Sequence, residues 1–136
     1  MGKKIKNMNN NILILGCGNT GKSLGVFLSK KNLNIYFWDD DQNKLDKIDK
    51  DFSKYNSEKL SFFDYIYVSP GISKSHKIIK KALENKVKIS SDIELFLENV
   101  KELNTKNKLL AITGTNGKST IALMLAKALN SKPLAN

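Results

Sequence analysis

Asn11-Ile12-Leu13-Ile14-Leu15-Gly16-Cys17-Gly18-Asn19-Thr20-Gly21 is the stretch that decides the fold. A short apolar run that stops at glycines reads as a strand covered on both faces. Leu24, Phe27 and Leu28 then recur at helical spacing within Ser23–Lys31. Between strand and helix the glycines fit the pattern G-x-G-x-x-G. The first permits a tight turn, the second lets an anion approach the backbone, and the third allows close helix–strand packing. Free amides at the helix start attract that anion. Asp39 ends the next strand, Asn34–Trp38, where an acid can accept hydrogen bonds from ribose hydroxyls. The same glycines also suit a plain βα turn, and Cys17 at a free position of the loop carries no chemistry.

Working outward, strand and helix patterns keep alternating. A polar helix is expected around Gln42–Lys50, a loop-rich stretch over 51–63, and a third strand at Tyr65–Ser69 closed by Pro70-Gly71. Ile78, Ile79, Ala82 and Leu83 share one face of a helix over Lys77–Asn85, and Val87–Ile89 is a short fourth strand. Ser91 stands three residues before Glu94, the capping-box spacing, and opens a helix through Leu97. Residues 98–108 read as a linker. Such alternation predicts an α/β fold, a Rossmann-like parallel sheet with crossover helices over residues 1–104.

A second β-loop-α start follows in residues 105–136: a strand at Lys108–Thr113, a glycine loop, and a helix from about Ser119 to Asn130. The loop is Gly114-Thr115-Asn116-Gly117-Lys118-Ser119-Thr120. Loop amides of this kind cradle phosphates, the Lys118 ammonium reaches their outer oxygens, and a hydroxyl from Ser119 or Thr120, Ser119 first, can ligate magnesium. The strict G-x-x-x-x-G-K-[ST] form fails, because Ile112 stands where its first glycine belongs. The residues thus predict the first unit of a P-loop ATPase-like domain. Its helix, with Ile121, Leu123, Met124, Leu125 and Leu129, is apolar nearly all round and is expected to be buried on most sides. Only Ser131–Asn136 follow, so its covering layers are expected outside this sequence, and the chain reads as a fragment.

Composition narrows the classes. The chain has 136 residues, 40% of them hydrophobic and 26% charged, which suits one ordinary domain and the start of another. The net charge of +10 comes from 23 basic residues, all of them lysine. Specific nucleic-acid readers favour arginine, and these lysines are scattered along helices, so no nucleic-acid partner is expected. The longest candidate membrane stretch, Ile121–Leu129, is about half a bilayer span, and no membrane role is expected. A single cysteine fits a reducing cytoplasm.

Thr113–Thr120 resembles the ATP loop of the muramyl ligases, which folylpolyglutamate synthetases share in variant form. Ser69-Pro70-Gly71-Ile72 with His76 nearby, Asp92-Ile93-Glu94-Leu95-Phe96, and Gly16–Gly21 running into Lys22-Ser23 resemble the family's D-glutamate-adding branch in particular. The resemblance covers about Asn11 to Asn130. It implies an ATP- and magnesium-dependent ligase of peptidoglycan synthesis, and so of cell shape and division, that joins D-glutamate to UDP-N-acetylmuramoyl-L-alanine. The first domain would hold the UDP-substrate: Gly18, Asn19 and Thr20 at the pyrophosphate, Asp39 and Asp40 near the uridine, and Gly71 offering its backbone. In the second domain Gly114 to Thr120 would hold ATP, with Lys118 as the catalytic cation and Ser119 on the metal. Three consecutive acids, Asp39-Asp40-Asp41, depart from the mixed residues of relatives. His76, Asp92 and Glu94 are expected to serve helix starts. No acid follows Glu102, so these 136 residues alone are expected to show no turnover. The rival readings are a fragment of an NAD-binding dehydrogenase, resting on Gly16–Gly21 and Asp39, and a non-catalytic nucleotide-binding module.

Overall fold

β1 (Asn11–Leu15) is apolar from Ile12 onward because it is covered on both faces, with Ile12 to Leu15 at most 4% exposed. The computed structural model of the chain describes residues 10–56, 59–103 and 108–131. It separates into two compact units, residues 1–104 and 105–136.

In the first unit β1 leads through α1 (Asn19–Ser29) to β2 (Asn34–Trp38), then α2 (Gln42–Asp46) and β3 (Ser53–Lys54). A 3-10 turn at Leu60–Phe62 precedes β4 (Tyr65–Val68), α3 (Lys77–Glu84), β5 (Lys88–Ser90) and α4 (Asp92–Glu102). The strands form one sheet in the order β3-β2-β1-β4-β5, and every pairing is parallel. This is the α/β parallel sheet with crossover helices that the alternation predicted.

Side chains alternate across the sheet and feed two cores. Ile12, Ile14, Ile35 and Phe37 pack with Leu24 and Leu28 of α1, Leu45 of α2 and Leu95 of α4. Leu13, Leu15 and Ile66 point the other way, onto Ile78, Ile79 and Ala82 of α3 and onto Leu60 and Phe63. Helices therefore cover both faces, as parallel strands require.

Several boundaries differ from expectation. The stretch 51–63, expected to be loop-rich, adds the edge strand β3, which pairs with β2 through only two residues, Ser53 and Lys54. Helix α1 starts at Asn19, inside the glycine pattern, rather than at Ser23. Helix α2 stops at Asp46, where Lys47 turns its N–H back to the Lys44 carbonyl. The helix opened by Ser91 does not end at Leu97 but continues to Glu102. Asn99 holds it there, donating to the Leu95 carbonyl and accepting from Lys31 Nζ at 2.7 Å. The first part of the expected linker, 98–102, is thus helix, and its residues 104–107 lie outside the described ones.

The second unit contains α5 (Lys118–Ala128) and no strand at 108–113 among the described residues. A β-strand is completed by a neighbour, and no described strand lies alongside this one. Helix α5 stays open, as expected of an apolar helix whose covering layers are not among the described residues. Only Ala126 is buried, while Met124 is 67% exposed. No helix among the described residues is long and apolar enough to cross a membrane.

Candidate functional site

The sheet order reverses at β1, whose neighbours are β2 on one side and β4 on the other. Open α/β sheets bind ligands outside the carboxyl ends of the strands at such a switch point. The Gly16–Gly21 loop leaves β1 here, Asp39–Asp41 leaves β2, and Ser69-Pro70-Gly71 leaves β4. The first-unit residues singled out by sequence therefore meet at one crevice.

The glycines divide by environment. Gly16 has φ +102°, and a Cβ there would lie 2.7 Å from the Ser69 side chain. A Cβ on Gly21 would lie 1.9 Å from the Gly16 carbonyl oxygen. These two close the turn against α1 and β4. Gly18 and Gly71 have no atom within 4 Å of an added Cβ and face open space. Gly18 is the N-cap of α1 without a side-chain cap, Asn19 and Thr20 begin its first turn, and that turn carries no acid. Their amides are available to an anion.

Each of the three acids has its own structural partner. Asp39 Oδ2 accepts from Cys17 N at 2.7 Å, and Oδ1 accepts from Asp41 N at 2.9 Å. It ties the glycine loop to the end of β2, leaving lone pairs for a further donor. Asp41 caps α2 by accepting from Asn43 N at 3.0 Å. Asp40 is exposed, with His76 Nε2 3.4 Å from its Oδ2. His76 Nδ1 accepts from Ile78 N and so caps α3, as expected of a helix-start residue. Ser91 and Glu94 form the full capping box, in which Ser90 and Ser91 hold the Glu94 carboxyl below the usual range. Cys17 is buried, and desolvation, then the Asp39 charge, push its thiol up to about 11. Such a thiol is inert at neutral pH.

Sequence reasoning missed Ser69 as the partner of Gly16, and missed the engagement of Asp39 with the loop amide. It also missed Gly25, where a Cβ would lie 2.5 Å from the Phe37 ring. A glycine four residues after the third loop glycine, opposite an aromatic in the next strand, was the available signal.

In the second unit Gly114 (φ +153°) and Gly117 (φ +75°) hold conformations that side chains rarely adopt. Gly117 is the N-cap of α5, followed by Lys118, Ser119 and Thr120 in its first turn. Lys118 Nζ folds back onto the carbonyls of Gly114 and Thr115. Gly114 to Thr120 are all exposed. No cluster of three or more His, Cys, Asp or Glu suited to a metal occurs among the described residues. Two cavities of the first unit are lined by residues outside the Gly16–Gly21 loop. One of about 470 Å³ is lined by Val26, Leu33, Asp49 and Phe52, and one of about 250 Å³ by Tyr36, Tyr55, Phe62 and Phe63.

Residues 10–91, the sheet with its crevice, match the model of the Mur ligase MurD-like N-terminal domain. The chain belongs to that family. Among its relatives is the UDP-N-acetylmuramoylalanine–D-glutamate ligase of Rickettsia bellii, 40% identical over 91% of this chain and 28% of that protein. Enzymes of the same name from Wolbachia pipientis and Francisella philomiragia are 36% and 41% identical, over 93% and 84% of this chain and 25% of each relative. The chain thus spans about a quarter of the length of these relatives. The UDP-N-acetylmuramate-alanine ligase MurC of Thermotoga maritima has a similar fold, with a TM-score of 0.50, 21% identity, and coverage of 88% of this chain and 29% of that one. Membership in the MurD-like family supersedes the dehydrogenase reading, which rested on the glycine loop and Asp39 alone.

Proposed function

We propose that this chain is the amino-terminal part of a UDP-N-acetylmuramoylalanine–D-glutamate ligase, and that its MurD-like domain, residues 1–104, binds the UDP end of UDP-N-acetylmuramoyl-L-alanine. One observation carries the reading. Within a family-matching sheet, Gly18 and Gly71 alone of the crevice glycines present bare backbone to open space at the switch point. Gly18, Asn19 and Thr20 direct amides at the pyrophosphate. Asp39 and Asp40 lie on the nucleoside side, and Gly71 lets the sugar-phosphate approach the backbone.

Residues 105–136 contribute the ATP loop. The left-handed Gly117, the acid-free first turn of α5 and the nearby Lys118 ammonium fit a polyphosphate. Lys118 moves from its own loop carbonyls to the phosphate oxygens, and the amides of Gly114 to Thr120 orient them. Ser119 offers one hydroxyl to magnesium, which when bound neutralises charge on the transferred phosphoryl group. The reaction is ATP-driven amide formation between the substrate carboxylate and the amine of D-glutamate. Such substrates place the ligase in the cytoplasm.

Thermal unfolding of this chain tests the nucleotide assignment. UDP-N-acetylmuramoyl-L-alanine at 100 times its dissociation constant should stabilise the chain by roughly 2.7 kcal/mol. UDP should act in the same direction and NAD should not. A shift with NAD and none with either uridine ligand would refute the assignment.

A further inference from the structure

The loop from Ser69 to His76 takes an unexpected course. It leaves β4, yet His76 meets residues at the end of β2, on the far side of β1. On the way Ile72 passes beside Gly16, 3.5 Å from where a Cβ would stand. The loop is built of two turns, Ile72 N to Ser69 O at 3.0 Å and His76 N to Ser73 O at 2.9 Å. It therefore forms one wall of the crevice, across the carboxyl end of β1.

His76 fixes the far end of that wall through three contacts to two elements. Its Nδ1 accepts from Ile78 N at 3.2 Å, its Nε2 lies 3.4 Å from Asp40 Oδ2, and its ring sits 4.8 Å from that of Trp38. Because Nδ1 accepts, the ring proton of the neutral tautomer belongs on Nε2, the nitrogen that faces Asp40. The side chain is only 12% exposed. An N-cap needs only the first of these contacts, and serine or asparagine supplies it. The other two join the β4–α3 loop to β2. Trp38 in turn accepts from Gly16 N through its carbonyl at 2.8 Å, so the clamp ends on the glycine loop itself.

We propose that His76 is a positioning residue of the nucleotide crevice, holding the loop that carries Gly71 against Trp38 and orienting Asp40 toward the nucleoside. The inference rests on the uridine-nucleotide reading of that crevice. The test is a titration of the chain with UDP, followed by the emission of Trp38, the sole tryptophan. In His76→Asn the short amide still caps Ile78 but cannot span to Asp40 or cover Trp38. It should keep the melting temperature and weaken UDP binding about tenfold, as the loss of one polar contact to a charged group would. Asp40→Ala leaves the cap untouched and should weaken binding similarly, and the double variant should be no weaker than the worse single one.

Unchanged UDP affinity in His76→Asn would overturn the proposal. So would strictly additive losses in the double variant, even if His76→Asn also proved less stable. Failure of the unaltered chain to bind UDP would instead remove the crevice reading, and the clamp with it.

Discussion

The sequence carries the same apolar run, glycine loop and helix pattern twice, at Asn11–Ser29 and at Lys108–Ala128, and only the first becomes a packed β-loop-α structure. β1 has β2 and β4 as hydrogen-bonded neighbours and a helix layer on each face. Its counterpart at 109–113 is no strand among the described residues, and Leu110 is 64% exposed. Helix α1 buries Gly21, Leu24, Gly25 and Leu28, whereas the more apolar α5 buries Ala126 alone. Local sequence supplies the loop and the helix in both cases, because their hydrogen bonds close within a few residues. A strand and a buried face need partners from elsewhere in the chain.

Substituting glycines should separate the two regions most sharply. Gly21→Ala places a Cβ 1.9 Å from a carbonyl oxygen and should cost roughly 3 kcal/mol or more in urea unfolding. Gly117→Ala, in open space at φ +75°, meets only backbone strain of about 1–2 kcal/mol, felt locally at the start of α5. Equal losses at the two sites would mean that the loops are packed alike. Removing a buried methyl cluster by Ile14→Ala should cost about 2–5 kcal/mol, whereas Leu110→Ala should stay within about 0.5 kcal/mol. A large cost at Leu110 would show a partner for that segment.

Smaller effects sharpen the same contrast. Ser91→Ala removes the hydroxyl that accepts from Glu94 N and should cost about 1 kcal/mol, read as a lower urea midpoint at constant slope. Cys17, beneath the first loop, should resist alkylation in the native chain at pH 8. Its folded thiol lies above the ordinary 9.0, at about 11, so its contribution to stability holds below pH 9 and is lost as pH rises toward 11. Rapid native-state alkylation at pH 8 would show that the first loop is as open as the second.

Much of the first unit was legible because its signals are local. Alternating apolar runs, the Ser91/Glu94 capping box and the glycine spacing located the sheet, α4's start and the crevice. The two-residue β3 was not legible, since Ser53 and Lys54 pair with Tyr36 and Phe37 through backbone alone. Nor was the extent of α4, which depends on the Lys31–Asn99 contact across 68 positions. The acids Asp39 to Asp41 looked like a charge anomaly in sequence. Asp41 caps α2 locally, but the loop amide held by Asp39 and the histidine beside Asp40 emerge only when β1, β2 and α3 come together.

The two glycine loops share a sequence pattern, and the proposed function has them serve different ligands. Amide chemical-shift mapping of the isotope-labelled chain tests it directly, with UDP and then magnesium ATP added. UDP should move Cys17 to Thr20, Asp39 to Asp40 and Gly71, and leave Gly114 to Thr120 in place. Magnesium ATP should do the reverse, and Lys118→Ala should abolish only the second response. If UDP moved the Gly114–Thr120 amides instead, or if Lys118→Ala abolished the UDP response, the two loops would not serve separate ligands.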